Sequence, residues 1–405
     1  MSLFAALRLP REVLFGAGQR RGLGAVAKRF GTRVLICTDA RLAADPVFTE
    51  LVGLLTAEGL TVQVDATVQP DVPVDSTLTS AATAKAFAPE LIIGLGGGSC
   101  LDLAKCVALL LTHGGRPQDY YGEFKVPGPV LPIIAVPTTA GTGSEVTPVA
   151  VLSDPDRALK VGISSPHLIP QVAICDPELT LTCPRGLSAV AGADALSHAI
   201  EAFTAIRRAP DAALPRERVF VGKSALTDHF ALLAIRLLNR SLERACSHGS
   251  DLAARSDVML AATAAGMAFG TAGTAAAHAI QYPIGALTHT AHGLGVACVL
   301  PYVMSYNRAA CVPEFVEIAR TMGLTAADDE ALADAAIARV ARLFAAIGLP
   351  ANLQALGLPA DKLAWTAEQA LGIGRLINNN PRPLDAASMD RLLRAAFTGD
   401  LPAAR

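Results

Sequence analysis

Over the first 185 residues, short apolar runs alternate with longer stretches of helical periodicity. The runs RVLICTD, TVQVDA, LIIGLGGG and VLPIIAVPTT predict four strands, continuous enough in Val, Leu and Ile to be buried on both faces of a parallel sheet. Between them, apolar positions recur at helical spacing over roughly 46–59, 76–87 and 99–112, the alternation expected of βαβ units. After LTCPRGLSAVAG the pattern changes to Ala- and Leu-rich helical periodicity that continues nearly to the C-terminus, with hardly any β-branched run. A boundary near Cys183 to Gly186 follows, dividing an α/β domain over 1–185 from an all-α domain over 186–405. Pro- and Gly-rich stretches, among them RRAPDAALP, YPIGAL and NNNPRPL, read as the loops between the later helices.

Composition narrows the classes. Of 405 residues, 52% are hydrophobic and only 17% charged, which describes a compact chain that also buries surface between subunits; a homodimer is expected. Lys plus Arg (34) nearly balances Asp plus Glu (36), and no basic run is interleaved with aromatics, so neither nucleic acid nor a membrane surface is an expected partner. The eight cysteines are scattered without a C-x-x-C pair and read as reduced. The opening MSLFAALRLPREVLFG has too short an apolar run for a leader, which together with the cysteines predicts a soluble cytoplasmic protein.

The strand LIIGL runs directly into GGGSCLDLAKCVALLL. Gly96, Gly97 and Gly98 let the backbone turn sharply and approach a ligand. Ser99 then reads as a helix N-cap, with Asp102 completing a pattern like a capping box. A helix N-terminus at the end of a strand favours a phosphate or pyrophosphate, as in a Rossmann-like fold, although the turn is neither G-x-G-x-x-G nor a P-loop. A plain glycine turn is the alternative. A second turn, PTTAGTGSE, offers Thr138, Thr139, Thr142 and Ser144 as hydrogen-bond donors to phosphates or a nicotinamide amide, or else is a polar loop. Asp39, ending the strand RVLICTD, stands where a carboxylate accepts from an adenosine ribose and repels a 2′-phosphate, which favours NAD over NADP.

In DALSHAIEA, Asp194 and His198 stand four residues apart, on one face of a predicted helix. Alone, such a pair is as compatible with a surface Asp and a core His. His278 and His292, separated by fourteen positions that include Tyr282, Pro283 and Gly285, can bring a helix end and a following loop to one point. One carboxylate and three imidazoles suit Fe(II), Zn(II) or another divalent metal. His289 competes with His292 for the fourth place, whereas His113, His167, His229 and His248 sit in surface-like contexts.

Six ordered stretches, GGGSCLDLAK, PTTAGTGSEVTPVAVLSD, KVGISSPHLIPQVAICDP, GADALSHAIEAF, HAIQYPIGALTHTAHGLGVACVLPYVM and NNPRPL, resemble the iron-containing (group III) alcohol dehydrogenases over nearly the whole chain. The resemblance implies an N-terminal dinucleotide domain and a C-terminal helical domain that use NAD(P) and a divalent metal. It places the metal ligands on Asp194, His198, His278 and His292, and adds Lys160 to the cofactor residues. The implied activity is hydride transfer between a small alcohol or aldehyde and NAD, with Fe(II) as the first metal. Where many members carry a second histidine, a proton-relaying one near the nicotinamide, this chain has Tyr282, a catalytic-site departure. The stretch RRAPDAALPRERVFVGKSALTD is similar to the hydroxyacid-oxoacid transhydrogenase branch, and a lyase like dehydroquinate synthase is a further alternative.

Overall fold

The computed structural model describes residues 4–157 and 159–405. They divide into two compact units, an α/β unit of Arg8–Cys183 with Ala212–Val219, and a helical unit of Pro184–Asp211 and Phe220–Arg405 with residues 4–7.

The strands of the α/β unit are β1 (Glu12–Phe15), β2 (Arg33–Cys37), β3 (Thr61–Asp65), β4 (Leu91–Gly96), β5 (Gly122–Glu123), β6 (Ile133–Pro137), β7 (Val149–Leu152), β8 (Val161–Ser164) and β9 (Val172–Cys175). Six form a sheet in the order β1-β9-β6-β4-β2-β3, every pair parallel, and β5-β8-β7 form a small mixed sheet. Its helices are α1 (Leu23–Lys28), α2 (Ala40–Ala43), α3 (Pro46–Ala57), α4 (Val74–Lys85) and α5 (Gly98–His113). Alternate residues of each strand serve opposite faces. Val34, Ile36, Ile93 and Val136 pack with Leu23, Leu51 and Leu55 of α1 and α3, while Leu35, Ile92 and Ile133 pack with Leu103 and Val107 of α5 and Ala81 of α4. Both faces are therefore covered over β2, β4, β6 and β9, which is why those strands read as unbroken apolar runs, whereas β3, expected to be buried on both faces, stands at the sheet edge with its residues exposed or half-buried. Each such Leu or Ile contributes roughly 1.5–3 kcal/mol by its burial.

The four predicted strands and three helices are present, the helices beginning within two residues of their predicted starts. The reading missed β1 and β9 and the whole small sheet. These are runs of two to four residues, too short for a period to show.

β2 and β4 are neighbours, yet the chain leaves β2 outward to β3 and leaves β4 the other way to β6. The loops after these two strands diverge, which opens a crevice at their carboxyl ends, the position where such sheets bind ligands. Asp39 and Gly96–Gly98 sit there.

In the helical unit, α6 (Arg185–Thr204) is buried along most of its length. The excursion Ala212–Val219 carries the short α7 (Leu214–Glu217) and belongs to the α/β unit, where Arg8 Nη1 donates to Val219 O at 2.6 Å and Val219 N donates to Glu123 Oε2 at 2.5 Å. Next come α8 (Ala225–Ser247), α9 (Leu252–Ala272), α10 (Ala276–Thr288) and α11 (His292–Asn307), then five further α-helices between Val312 and Thr398. Helices α8 and α9 pack on α6 and on each other. The break between α9 and α10 bends the chain by 103°. Among the described residues no single helix is long and apolar enough to cross a membrane. Seven of the eight cysteines are buried.

Candidate metal and dinucleotide sites

Asp194, His198 and Glu201 occupy i, i+4 and i+7 of α6 and so share one face, which is buried. His278 lies in the first turn of α10 and His292 is the first residue of α11. Gly293 permits α11 to meet α6 here, because a Cβ on it would stand 2.6 Å from Val190 O and 2.8 Å from Asp194 Cβ.

The Nε2 atoms of His198, His278 and His292 each lie 3.8 Å from Asp194 Oδ1, and one ligand atom from each of the four residues falls within 4.8 Å of all the others. These separations exceed a hydrogen bond. A tetrahedral ion with bonds of about 2.1 Å needs ligand atoms about 3.4 Å apart, so the four would draw inward to close on a metal. His278 Nε2 is buried and has no hydrogen-bond partner among the described residues. Leaving a buried polar atom unmatched costs about 1–3 kcal/mol, a cost that a bound cation removes. The residues fit a divalent ion.

A second layer aims these groups. Glu201 Oε2 lies 2.5 Å from His278 Nδ1, and its carboxylate also accepts from Ala275 N at 3.0 Å and Ala277 N at 2.7 Å. One side chain thus caps α10 and holds the proton on Nδ1 of its histidine, turning Nε2 toward the cluster. Gln281 Oε1 lies 2.7 Å from His292 Nδ1. The His198 ring stacks between Phe269, at 4.2 Å, and His278, at 4.7 Å. Tyr282 is half-buried with its ring 6.0 Å from that of His292. His289, the competing ligand, is exposed and ends α10 in a left-handed conformation, φ 54°. His113, His167, His229 and His248 stand outside the cluster.

Sequence reasoning missed Glu201, Gln281 and Phe269. The first two were findable, since Glu201 extends the Asp194–His198 face by one turn and Gln281 follows His278 by three.

In the α/β unit the glycine turn departs from its expected capping. The N-cap of α5 is Gly97, not Ser99, and no side chain caps the helix. Ser99 falls inside the first turn, where its Oγ accepts from Asp71 N at 3.3 Å. Asp102 does not reach back to the helix start; it accepts from Ser144 Oγ at 2.6 Å and Val151 N at 3.0 Å. Gly96 has φ 143°, and a Cβ on Gly98 would meet Thr142 Cγ2 at 2.6 Å. The turn is closed against PTTAGTGSE by the absence of side chains. Thr138 N donates to Gly96 O at 2.9 Å, Thr139 stands beside Gly97, and Thr142 Oγ1 accepts from Ser144 N. Ser144 turns its hydroxyl inward, donating to Asp102 and accepting from Lys105 Nζ at 2.9 Å, so it braces the turn.

Lys105 is wholly buried and also donates to Thr147 O and Val149 O, at 3.0 and 2.8 Å. Burial pushes its ammonium down to about 8, against the opposing pull of Asp102 and Glu145. Burial likewise raises Asp102 above the ordinary carboxylate range, with Lys105 opposing. Asp39 caps α2 by accepting from Leu42 N through Oδ1, while Oδ2 lies 3.8 Å from Cys100 Sγ at the glycine turn. Lys160 Nζ donates to Asp71 Oδ1 at 2.5 Å.

Two family profiles cover the chain, one for iron-containing alcohol dehydrogenase over residues 10–177 and one for the C-terminal part of the Fe-containing alcohol dehydrogenase family over 188–397. The chain belongs to the iron-containing alcohol dehydrogenase family. Long-chain-alcohol dehydrogenase 1 of Geobacillus thermodenitrificans is 35% identical over 380 residues, 92% of each chain. The NAD-dependent methanol dehydrogenase of Bacillus methanolicus is 32% identical, covering 96% of this chain and 99% of that one. A crystal structure of 1,3-propanediol oxidoreductase superposes with a TM-score of 0.91 at 32% identity, over 97% of this chain and 100% of that one. This member of the iron-containing alcohol dehydrogenases is thus an oxidoreductase acting on alcohols, from a metal-binding and NAD(H)-binding family.

Proposed function

We propose that Asp194, His198, His278 and His292 hold one divalent metal, Fe(II) first and Zn(II) or another divalent ion otherwise, and that the chain interconverts a small alcohol and its aldehyde using NAD. The observation that carries this is the convergence of three Nε2 atoms on the buried Asp194 Oδ1. When bound, the metal supplies Lewis-acid chemistry toward the substrate oxygen and the nicotinamide supplies the hydride acceptor. The chain's own residues orient and dry the site. Glu201 and Gln281 fix the histidine protons away from the cluster, and Phe269 locks the His198 ring by stacking. Tyr282 shapes the pocket beside His292. In the α/β unit, the uncapped start of α5 and the Thr138–Thr142 turn receive the pyrophosphate, with Lys160 nearby on Asp71, and the Asp39 carboxylate beside the glycine turn supports ribose recognition and NAD over NADP. The low charged share supports a homodimer, and eight scattered cysteines without a C-x-x-C pair support a reducing, cytoplasmic setting.

Metal analysis of His278→Ala is expected to show strongly reduced occupancy and little turnover; full metal content with unchanged turnover refutes the ligand set. A panel of alcohols, aldehydes and hydroxyacids with NAD and NADP tests the reaction. NADH accumulating with a simple alcohol supports the dehydrogenase, and hydride passing only between a hydroxyacid and an oxoacid without free NADH turns the reading to a transhydrogenase.

A further inference from the structure

The four ligand residues are not equally supported. Side-chain exposure is 5% for Asp194, 6% for His198 and 4% for His278, but 30% for His292. Asp194 and His198 stand on one long buried helix, and His278 is clamped by a carboxylate that also caps its own helix. His292 begins α11 three residues after the exposed, left-handed His289, and it is the most exposed of the four.

Gln281 reaches across from α10 to meet it. Its Oε1 is a carbonyl oxygen that can only accept, so the 2.7 Å contact requires the proton of His292 to sit on Nδ1. Nε2 then keeps its lone pair, and Nε2 is the atom 3.8 Å from Asp194 Oδ1. The path of the amide is built into both helices. A Cβ on Gly285 of α10 would stand 2.7 Å from Gln281 Nε2, and one on Gly295 of α11 would stand 2.9 Å from its Cγ. The side chain is 1% exposed and threads between two glycines that leave it one course.

Resting on the metal reading above, we infer that Gln281 is a positioning residue that selects and aims Nε2 of His292, making the most exposed of the three histidines a preformed fourth ligand. His278 is served by an anionic acceptor and His292 by a neutral one. A carboxylate draws the Nδ1 proton and strengthens its histidine as a ligand, whereas an amide directs without strengthening. His292 is therefore the weaker imidazole ligand, and Gln281 decides whether it is in place before metal arrives.

The test is Co(II) binding by the metal-free full chain, with affinity from competition against a chelator and ligand geometry from the d–d absorption. Gln281→Leu removes the acceptor while filling the space, and is expected to weaken Co(II) binding by about 10–100-fold and to change the band intensity. Gln281→Glu, which still accepts from Nδ1, is expected to bind at least as tightly as the wild type. Gly295→Ala, which blocks the path of the side chain, is expected to follow Gln281→Leu, although alanine favours a helix. Wild-type affinity and spectrum in Gln281→Leu overturn the inference, and so does weakened binding in Gln281→Glu, which also decides the matter should the leucine variant fail to fold. Absence of stoichiometric Co(II) binding by the wild type would instead overturn the metal reading itself.

Discussion

Tyr282 lies one position beyond Gln281, with its ring 6.0 Å from that of His292, and it is the residue where the family's usual chemistry is least transferable. A phenol, ordinarily with a pKa of about 10, does not exchange protons readily near neutrality as an imidazole does. Tyr282→Phe is therefore expected to keep most of kcat and to alter KM. A loss of kcat of about a hundredfold, roughly 2.7 kcal/mol, with metal and NAD binding intact would make the hydroxyl a reacting group. Asp39 carries a second residue-scale prediction. Its Oδ1 is spent on Leu42 N, and a 2′-phosphate beside Oδ2 would meet a like charge. Asp39→Gly is expected to shift kcat/KM toward NADP, and a wild-type enzyme already faster with NADP contradicts the argument.

At the scale of elements, α5 shows what a sequence can and cannot announce. Its length and apolar face were legible, as was β4, whose six residues are all buried. Its first residue was not. A serine after three glycines reads as a cap, but a side-chain cap would occupy amide groups that an anion needs, and the helix instead starts at Gly98 behind an extended Gly97. β1 is half-buried at every position, and the four-residue β7 and β8 give too few repeats for alternation to register. The metal residues were legible because two sit one turn apart, while Phe269 is one of many apolar residues in α9. Lys105 is a further element-scale feature, joining α5 to β7. Its folded pKa of about 8 lies below its ordinary 10.5, so the folded state binds its proton less tightly than the unfolded chain. Its contribution to stability must therefore rise with pH between those values and be smallest below about 8. Urea unfolding should show the stability difference between wild type and Lys105→Met growing across that window; a flat difference refutes it.

For the molecule as a whole, the proposed metal site joins α6 to the consecutive helices α10 and α11, from which the long α8 and α9 separate it in sequence. An ion that binds only the folded arrangement stabilises it by mass action. Stripping metal with a chelator is expected to increase amide exchange along those three helices and to leave β2, β4 and α5 of the α/β unit unchanged. Equal deprotection of both units would show that the ion serves some other purpose. The segment Ala212–Val219 bears on how such a protein can be recombined. Because it leaves the helical half to complete the α/β unit, where the Arg8 guanidinium grips the carbonyls of Pro215 and Val219, the halves are not cassettes with a single seam. A chimera exchanged once at 183/184 would inherit this strap from the wrong parent. An exchange that also carries 212–219 with the first half would keep the grip of Arg8 and the Glu123 contact together, and shuffled libraries should recover folded chains mainly from that second design.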